Sequence, residues 1–381
     1  MNELYLKQIY DDIFVNCELT HYDLYDNDVF NTLVYLILDI YKEFNTIENI
    51  DSLQKKINSI LKQEQNSVKC PNYDESTLMY LENHIKYLET IPQPDQRTKE
   101  WYIFRNNRLT ASDFYSVIDK NEGAKINDLI QAKCGVVKPF LTNAAILHGV
   151  KFEQIATEIY EKRNNLKILE FGCIPHPTIP FFGASPDGIV SYESNNKNYV
   201  GRMLEIKCPK SRKITGIIPD GYYAQIQGQL EVCDLELCDF LECDFQKHPN
   251  QDAFFNDTNP EKGAIIELYD TKLKKTIYHY STDDHIHDKT KFNLWSESIV
   301  NTIFDEKNKH LEYATTVYWY LNKLNVVLVK RDRNYFNTNY IKIKNFWDNV
   351  LKYRDIGIDK LKSKTKKTIY VYKEPELNFL D

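Results

Sequence analysis

The run Ser185-Pro186-Asp187-Gly188 is followed, after a short break, by Leu204-Glu205-Ile206-Lys207-Cys208-Pro209. Side chains alternate faces along a strand, so Glu205 and Lys207 share one face while Ile206 takes the other. An Asp187 delivered from the neighbouring strand end adds a second carboxylate at the same point. Carboxylate oxygens are the ligands Mg²⁺ and Mn²⁺ prefer. A lysine beside them can help deprotonate an attacking water or stabilise charge developing on phosphorus. The chemistry open to such a set is metal-assisted hydrolysis of a phosphodiester. Each half alone has a plainer reading, Pro-Asp-Gly as a turn and Glu-x-Lys as a solvated charge pair. Their conjunction between apolar flanks, and the neighbouring blocks, give the chemical reading its weight.

Three further blocks bear on the same point. Phe152, Ile155, Ala156, Ile159 and Tyr160 recur at helical spacing, with Glu153 at the edge of that apolar stripe. Downstream, Tyr222, Gln225 and Gln229 fall on one helical face, an amide and phenol stripe suited to orienting a water or a phosphate. Upstream, Arg105 and Arg108 precede Thr110 and Ser112 at what reads as a helix N-terminus, residue types that can hold a phosphate.

The order and wording of these blocks (Trp101 to Ser112, Gly149 to Glu153, Ser185 to Pro209, Tyr222 to Gln227) resembles the phage-λ exonuclease / YqaJ-type viral recombinase family of the PD-(D/E)xK nucleases. The resemblance spans Trp101 to Cys243, more weakly to Val350. It implies an α/β, restriction-endonuclease-like core and two Mg²⁺ or Mn²⁺ ions. It also implies hydrolysis of double-stranded DNA from a 5′ end, a ring-shaped homo-oligomer, and a single-strand annealing protein as partner. By the same resemblance, Asp187 and Glu205 are the main metal ligands, assisted by the Ile206 carbonyl, and Lys207 is the catalytic lysine. Glu153 contacts the second metal and Gln225 lies beside the nucleophilic water. Arg105, Ser112 and Ser185 form the pocket for a terminal 5′-phosphate, with Arg108, Thr110, Tyr222, Gln227, Arg212 and Lys213 as further DNA-binding candidates. One departure stands out. Some relatives carry an extra acid before the position of Phe181, whereas Cys173 to Pro180 has none, which leaves His176 or water to complete the second ion's shell.

A net charge of −7 over 381 residues argues against indiscriminate nucleic-acid binding. A local basic rim suffices for a nuclease, and Lys207, Lys210, Arg212 and Lys213 supply one. Eight cysteines form no Cys-x-x-Cys pair, and the five-residue recurrence of Cys233, Cys238 and Cys243 is read as buried free thiols in a reducing compartment. Asp283-Asp284-His285-Ile286-His287-Asp288 is read as the acidic opening of a helix reaching Phe304 rather than as a metal site. The longest apolar run, Leu33 to Leu38, is too short to cross a bilayer. The chain reads as a soluble intracellular protein, and its use of Asn, Lys, Ile and Tyr is compatible with the AT-rich genome of a large DNA virus, which places it in host cytoplasm or nucleus.

The elements that must position these residues fall into three parts. Residues 1–92 read as a helical extension (Glu3 to Val15, Asp28 to Phe44, Ile47 to Gln63, Glu75 to Thr90), ended by Pro92 and Pro94. Residues 93–358 alternate helix and strand and form the nuclease domain, and 359–381 form a basic tail. Strands are expected at Lys167 to Ile174, Phe181 to Ser191, Val200 to Lys207, Leu237 to Gln246, Gly263 to Tyr269, Thr276 to Tyr280 and Val317 to Leu321, the last opening a hairpin that runs to Asp332. Helices are expected at Ser112 to Ile118, Asn143 to Arg163, Gly221 to Asp234 and Ile341 to Arg354. This pattern predicts a mixed sheet flanked by helices. Two rival functions remain open to the same residues: a PD-(D/E)xK endonuclease or repair nuclease, and a catalytically inactive DNA-binding scaffold.

Overall fold

A computed structural model describes residues 9, 10, 13, 27–44, 53–58, 73–96, 98–119, 123–136 and 144–361. Much of the helices expected at Glu3 to Val15 and Ile47 to Gln63, and the basic tail beyond residue 361, lies outside the described residues. Helix α1 (Asn27–Phe44) turns Leu33, Val34, Ile37, Leu38 and Tyr41 onto Ile9, Tyr10, Ile13, Leu53 and Ile57, a small apolar cluster of its own. Helix α2 (Glu75–Thr90) starts where Asp74 accepts the Thr77 N–H at 2.8 Å. Its Ile85 and Leu88 enter the main core, and His84 Nε2 lies 2.7 Å from the Cys233 carbonyl. The expected boundary at residue 92 therefore follows a helix that already packs on the domain.

The chain continues through α3 (Lys99–Asn106), β1 (Leu109–Thr110), a 3₁₀ turn (Ala111–Asp113), α4 (Phe114–Ile118), α5 (Gly123–Lys133) and α6 (Ala144–Asn164). Four short strands follow, β2 (Ile168–Leu169), β3 (Ile174–Pro175), β4 (Phe182–Ala184) and β5 (Gly188–Val190), then β6 (Met203–Lys207), α7 (Asp220–Cys233) and β7 (Leu237–Lys247). The last part comprises α8 (Gln251–Asn256), β8 (Lys262–Asp270), β9 (Lys275–Tyr280), α9 (Asp283–His287), α10 (Lys289–Asn301), β10 (Leu311–Lys330) and α11 (Arg333–Ile356).

The strands form a seven-stranded sheet in the order β2-β5-β6-β7-β10-β8-β9 and a three-stranded sheet in the order β1-β4-β3. Strands β6 and β7 run parallel, joined by α7 as the crossover, while the other pairs of the large sheet are antiparallel. Period-2 alternation divides β6 as its sequence predicts. Met203 enters the core beneath α7 and α11, whereas Leu204 and Ile206 enter the opposite core with Phe152, Ile155 and Tyr160 of α6. Helices therefore cover both faces, and Glu205 and Lys207 point toward α7.

Three expectations need correction. The runs Lys167 to Ile174 and Phe181 to Ser191 are not continuous strands. Each is shared between the two sheets, with β2 and β5 in the large one and β3 and β4 in the small one. The second break falls at Ser185–Asp187, where Pro186 has no N–H to give a ladder. The segment from Val317 to Asp332 is not a hairpin. Strand β10 runs unbroken for 20 residues, pairing β8 in its first half and β7 in its second, with ladder irregularities at Tyr313/Thr315 and Leu321/Lys323. Helix α11 begins at Arg333 rather than Ile341, because Asp332 caps it by accepting the Tyr335 N–H at 2.8 Å.

Gly228 brings α7 down onto the small sheet. A Cβ there would lie 3.1 Å from Ala111 Cβ, 3.2 Å from Phe182 and 3.3 Å from Phe114. Gly188 serves a similar close approach, since a Cβ would sit 2.3 Å from Ile168 Cγ2 on β2. Gly228→Leu should overpack this contact and lower stability by about 1–3 kcal/mol, read as a lower urea midpoint with the unfolding slope unchanged.

Candidate active site

Glu205 is fully buried, and its carboxylate is the hub of the site. Lys207 forms an ion pair with it two residues along the same strand face. From α7, Gln225 Nε2 donates to Glu205 Oε1 at 2.7 Å, and Gln229 Nε2, one turn on, donates to Oε2 at 2.7 Å. Tyr222, a further turn back, sets its ring 5.0 Å from the Lys207 ammonium. The amide and phenol stripe read from the sequence thus faces the catalytic strand.

Asp187 enters from the break between the sheets, where its Oδ2 accepts the Ile206 N–H at 2.7 Å. Burial, and then the charge of Glu205, push its carboxyl well above the ordinary range. Glu153 adds to the rise and Lys207 opposes it. Burial works to lower the Lys207 pKa, but Glu205 and Asp187 outweigh it and hold the ammonium above its usual value. Glu153, on α6 across the sheet, is therefore close enough to act on Asp187. Glu205 and Asp187 face one lysine and Glu153 acts on Asp187 from the side of α6, an excess of negative charge that a divalent cation would neutralise. Among the described residues, no three Asp, Glu, His or Cys side chains converge into a ready-made metal cage. The donor set is all oxygen and negatively charged, which fits a hard cation.

A second pocket adjoins the first. Arg105 reaches from α3 so that Nη2 donates to Ser112 Oγ at 3.0 Å and to Thr110 Oγ1 at 3.4 Å, while Nη1 lies 3.5 Å from Ser185 Oγ. Its guanidinium covers the Trp101 ring at 4.3 Å, and Trp101 Nε1 donates to Ser185 Oγ at 3.3 Å. Ser185 joins the two pockets, since its carbonyl accepts from Gln229 at 3.2 Å. Thr110 and Ser112 do not act as side-chain caps. Thr110 is 1% exposed and donates to Asp113 at 2.9 Å.

Other expected residues lie elsewhere. Gln227 points away from Glu205, is 1% exposed and latches α7 to the end of β10, donating to the Lys330 carbonyl at 2.8 Å and accepting the Asp332 N–H at 2.6 Å. Arg108 folds back over Phe104, donating to its carbonyl at 3.2 Å, and burial lowers its pKa. Arg212 lies near Tyr222, but its charge is taken by the buried Glu242 at 2.6 Å. Lys213 is exposed on the following loop. His176 stacks on Phe336 and accepts the Thr178 and Ile179 N–H groups at 3.2 and 3.1 Å through Nδ1, which gives it a role in its own turn rather than in metal binding.

The described cysteines are free thiols, five of them buried. The Asp283–Asp288 run makes two helices rather than one, with Asp288 capping α10. No helix among the described residues is long and apolar enough to cross a membrane.

Sequence reasoning passed over two supports of the second pocket. Trp101 stands four residues before Arg105, a helical spacing that could have flagged the stack. Lys133 on α5 is buried, donates to the Arg105 carbonyl at 3.1 Å and pairs with Asp113 at 3.2 Å. Burial lowers its pKa and Asp113 opposes that. No local pattern announces a partner so far away in sequence.

Residues 100–236 match the family model of the YqaJ-like viral recombinase domain. An uncharacterized protein of Acanthamoeba polyphaga mimivirus is 31% identical over 322 residues, 76% of this chain and 59% of that protein. A protein of African swine fever virus is 26% identical over 160 residues, 36% of this chain and 46% of that protein. The matches therefore span about half the length of these viral relatives. Among solved structures, an alkaline exonuclease from Laribacter hongkongensis is similar at 20% identity and a TM-score of 0.40, covering 68% of this chain and 95% of its own.

Gln229→Leu should cost about 1–3 kcal/mol in urea unfolding, because it strips a donor from a buried carboxylate and from the Ser185 carbonyl together.

Proposed function

We propose, for a chain whose residues 100–236 match the model of the YqaJ-like viral recombinase domain, that it is a Mg²⁺- or Mn²⁺-dependent deoxyribonuclease consuming duplex DNA from 5′ ends. The observation that carries this reading is the buried Glu205 held by Lys207, Gln225 and Gln229, with Asp187 anchored on the amide of Ile206. Asp187, Glu205, Glu153 and the Ile206 carbonyl would hold the metal ions, which supply charge neutralisation at the phosphoryl oxygens and a more acidic water. Gln225, whose amide donates to Glu205, would help to orient a water beside that carboxylate. Lys207 holds its proton firmly, so its part is to place positive charge against the developing phosphorane. Arg105, Ser112, Ser185 and Trp101 form the receptacle for a terminal phosphate, with Arg105 able to give paired donors.

The spacing of the pockets favours an exonuclease over an endonuclease. Ser185 and Asp187 are two residues apart, at most about 7 Å along the chain, a distance of the order of one nucleotide. A 5′-phosphate seated at Ser185 leaves the next phosphodiester at Asp187, so mononucleotides leave in the 5′-to-3′ direction. A ring-shaped oligomer and a single-strand annealing partner complete this proposal, in which the chain prepares single strands for viral recombination inside the host cell.

A linear duplex with 5′-phosphates should lose mononucleotides with Mg²⁺ and survive in EDTA, while a covalently closed circle stays intact in both. Nicking of the circle would replace this reading with an endonuclease, and inertness toward both substrates would favour a DNA-binding scaffold. Lys207→Ala should slow turnover by about a hundredfold or more while duplex binding survives in a gel-shift assay. Arg105→Ala should erase the preference for 5′-phosphate over 5′-hydroxyl ends, measured as the ratio of kcat/KM on the two substrates.

A further inference from the structure

Cations near the site are mostly committed. Lys207 is paired with Glu205, Arg212 with Glu242 and Lys151 with Glu267. Lys210 and Lys247 differ. Both are exposed, and neither meets a hydrogen-bond acceptor or a carboxylate partner among the described residues. Lys210 lies beyond the C-terminal end of β6 and Lys247 is the last residue of the parallel β7, the strand ends at which crossover folds commonly bind ligands. Lys210 is three residues past Lys207, and Lys247 ends β7, five residues past Glu242, whose Cα pairs with that of Lys207.

The charges of these lysines are felt locally. Burial pushes His148 of α6 down to about 4, helped by the nearby Lys151, Lys247 and Lys210. Burial, followed by Lys151 and Lys210, also lowers Lys247, with Glu267 opposing. His148 packs on Phe152 at 4.7 Å between ring centres, and its Nε2 is buried with no hydrogen-bond partner. Three lysines thus act on one another beside two acids, Asp244 and Glu267, the latter already paired with Lys151, and in a chain of net charge −7 this surplus of lysines is a site for a polyanion.

We infer that Lys210 and Lys247 bind the phosphate backbone of duplex DNA beside the catalytic strand. This rests on the nuclease reading and adds a second point of grip to it. The reach agrees with a nucleic acid. Lys210 lies at most about 10 Å along the chain from Lys207, and Lys247 about 17 Å along the sheet. With one phosphate per about 3.4 Å of duplex axis on each strand, the two lysines fall about three to five nucleotides from the bond that breaks. The sequence places the rim at Lys207, Lys210, Arg212 and Lys213. Of these, Glu205 pairs with Lys207 and Glu242 with Arg212, while Lys210 and Lys213 stay exposed, and the fold brings Lys247 close enough for its charge to act with that of Lys210.

The test uses the full chain carrying Lys207→Ala in Mg²⁺, with a 5′-phosphorylated 30-base-pair duplex, and measures Kd between 50 and 200 mM salt. Each phosphate contact contributes about 0.9 to the slope of log K against log salt. Lys210→Gln combined with Lys247→Gln should reduce that slope by about 1.8 and weaken binding about tenfold or more at 0.1 M salt. Each single variant should lower the slope by about half as much. Lys344→Gln, which alters a lysine paired with Asp348 on α11, should leave the slope unchanged. Both lysines are exposed, so unchanged melting temperatures will show that the variants fold. An unchanged slope in the double variant, from a protein whose Lys207 form degrades DNA, overturns this site and leaves the nuclease reading standing. No duplex binding or degradation by any form overturns both.

Discussion

The structure around the site depends on one constraint, a fully buried carboxylate at Glu205. Removing a charge from water costs several kcal/mol even after relaxation, and only close partners offset it. Here the partners come from two elements, Lys207 from the same strand and Gln225 and Gln229 from the crossover helix. Helix α7 must therefore approach β6 closely and in one rotation. Gly228 lets the same helix sit down on the small sheet, admitting Ala111 and Phe182 where a side chain would stand. Gln227, on the opposite side of α7, fixes the rotation by engaging the backbone of Lys330 and Asp332.

The same constraint explains the break in the sheets. If Phe181 to Ser191 were one strand, Asp187 would be one rung of a ladder. Instead, the chain leaves the small sheet after Ala184 and joins the large one at Gly188. The three residues between are free to turn side chains and carbonyls inward. The Ser185 carbonyl accepts from Gln229 and its hydroxyl from the Trp101 indole N–H, while Asp187 accepts the Ile206 amide. Two pockets built on different sheets are thus held in fixed register by a tripeptide.

What the sequence made legible follows from what local pattern can encode. Period-2 alternation placed Glu205 and Lys207 on one face. Helical spacing placed Gln225, Gln229 and Tyr222 together, and put Glu153 beside the apolar stripe of α6. Pattern could not say which strand a segment pairs with, so the shared runs β2/β3 and β4/β5 read as single strands, and the long β10 read as a hairpin. Nor could it find charge partners. Arg108, Arg212 and His176 carry the right chemistry, but Phe104, Glu242 and the turn at Thr178 claim them through contacts made elsewhere in the fold. Lys133 escaped notice for the converse reason, because its role depends on Asp113 and on the backbone of Arg105, about two dozen residues away.

The quartet of Glu205, Lys207, Gln225 and Gln229 also bears on whether the site is spent. Buried ion pairs are poor stabilisers, and exchanging them for well-packed apolar residues is often neutral or favourable. Met203 and Phe240 already line this side of β6 and β7 with apolar side chains, so an apolar replacement would extend an existing core. A chain selected for stability alone has no need of this carboxylate, nor of Asp187 with its carboxyl pushed far above the usual range beside it. The arrangement makes physical sense when a cation balances the acids, for then the excess negative charge that would otherwise destabilise the site becomes the source of its affinity. The cost of Glu205 is thereby tied to the chemistry, and the same ledger of charges leaves Lys210 and Lys247 unspent for the strand that approaches it.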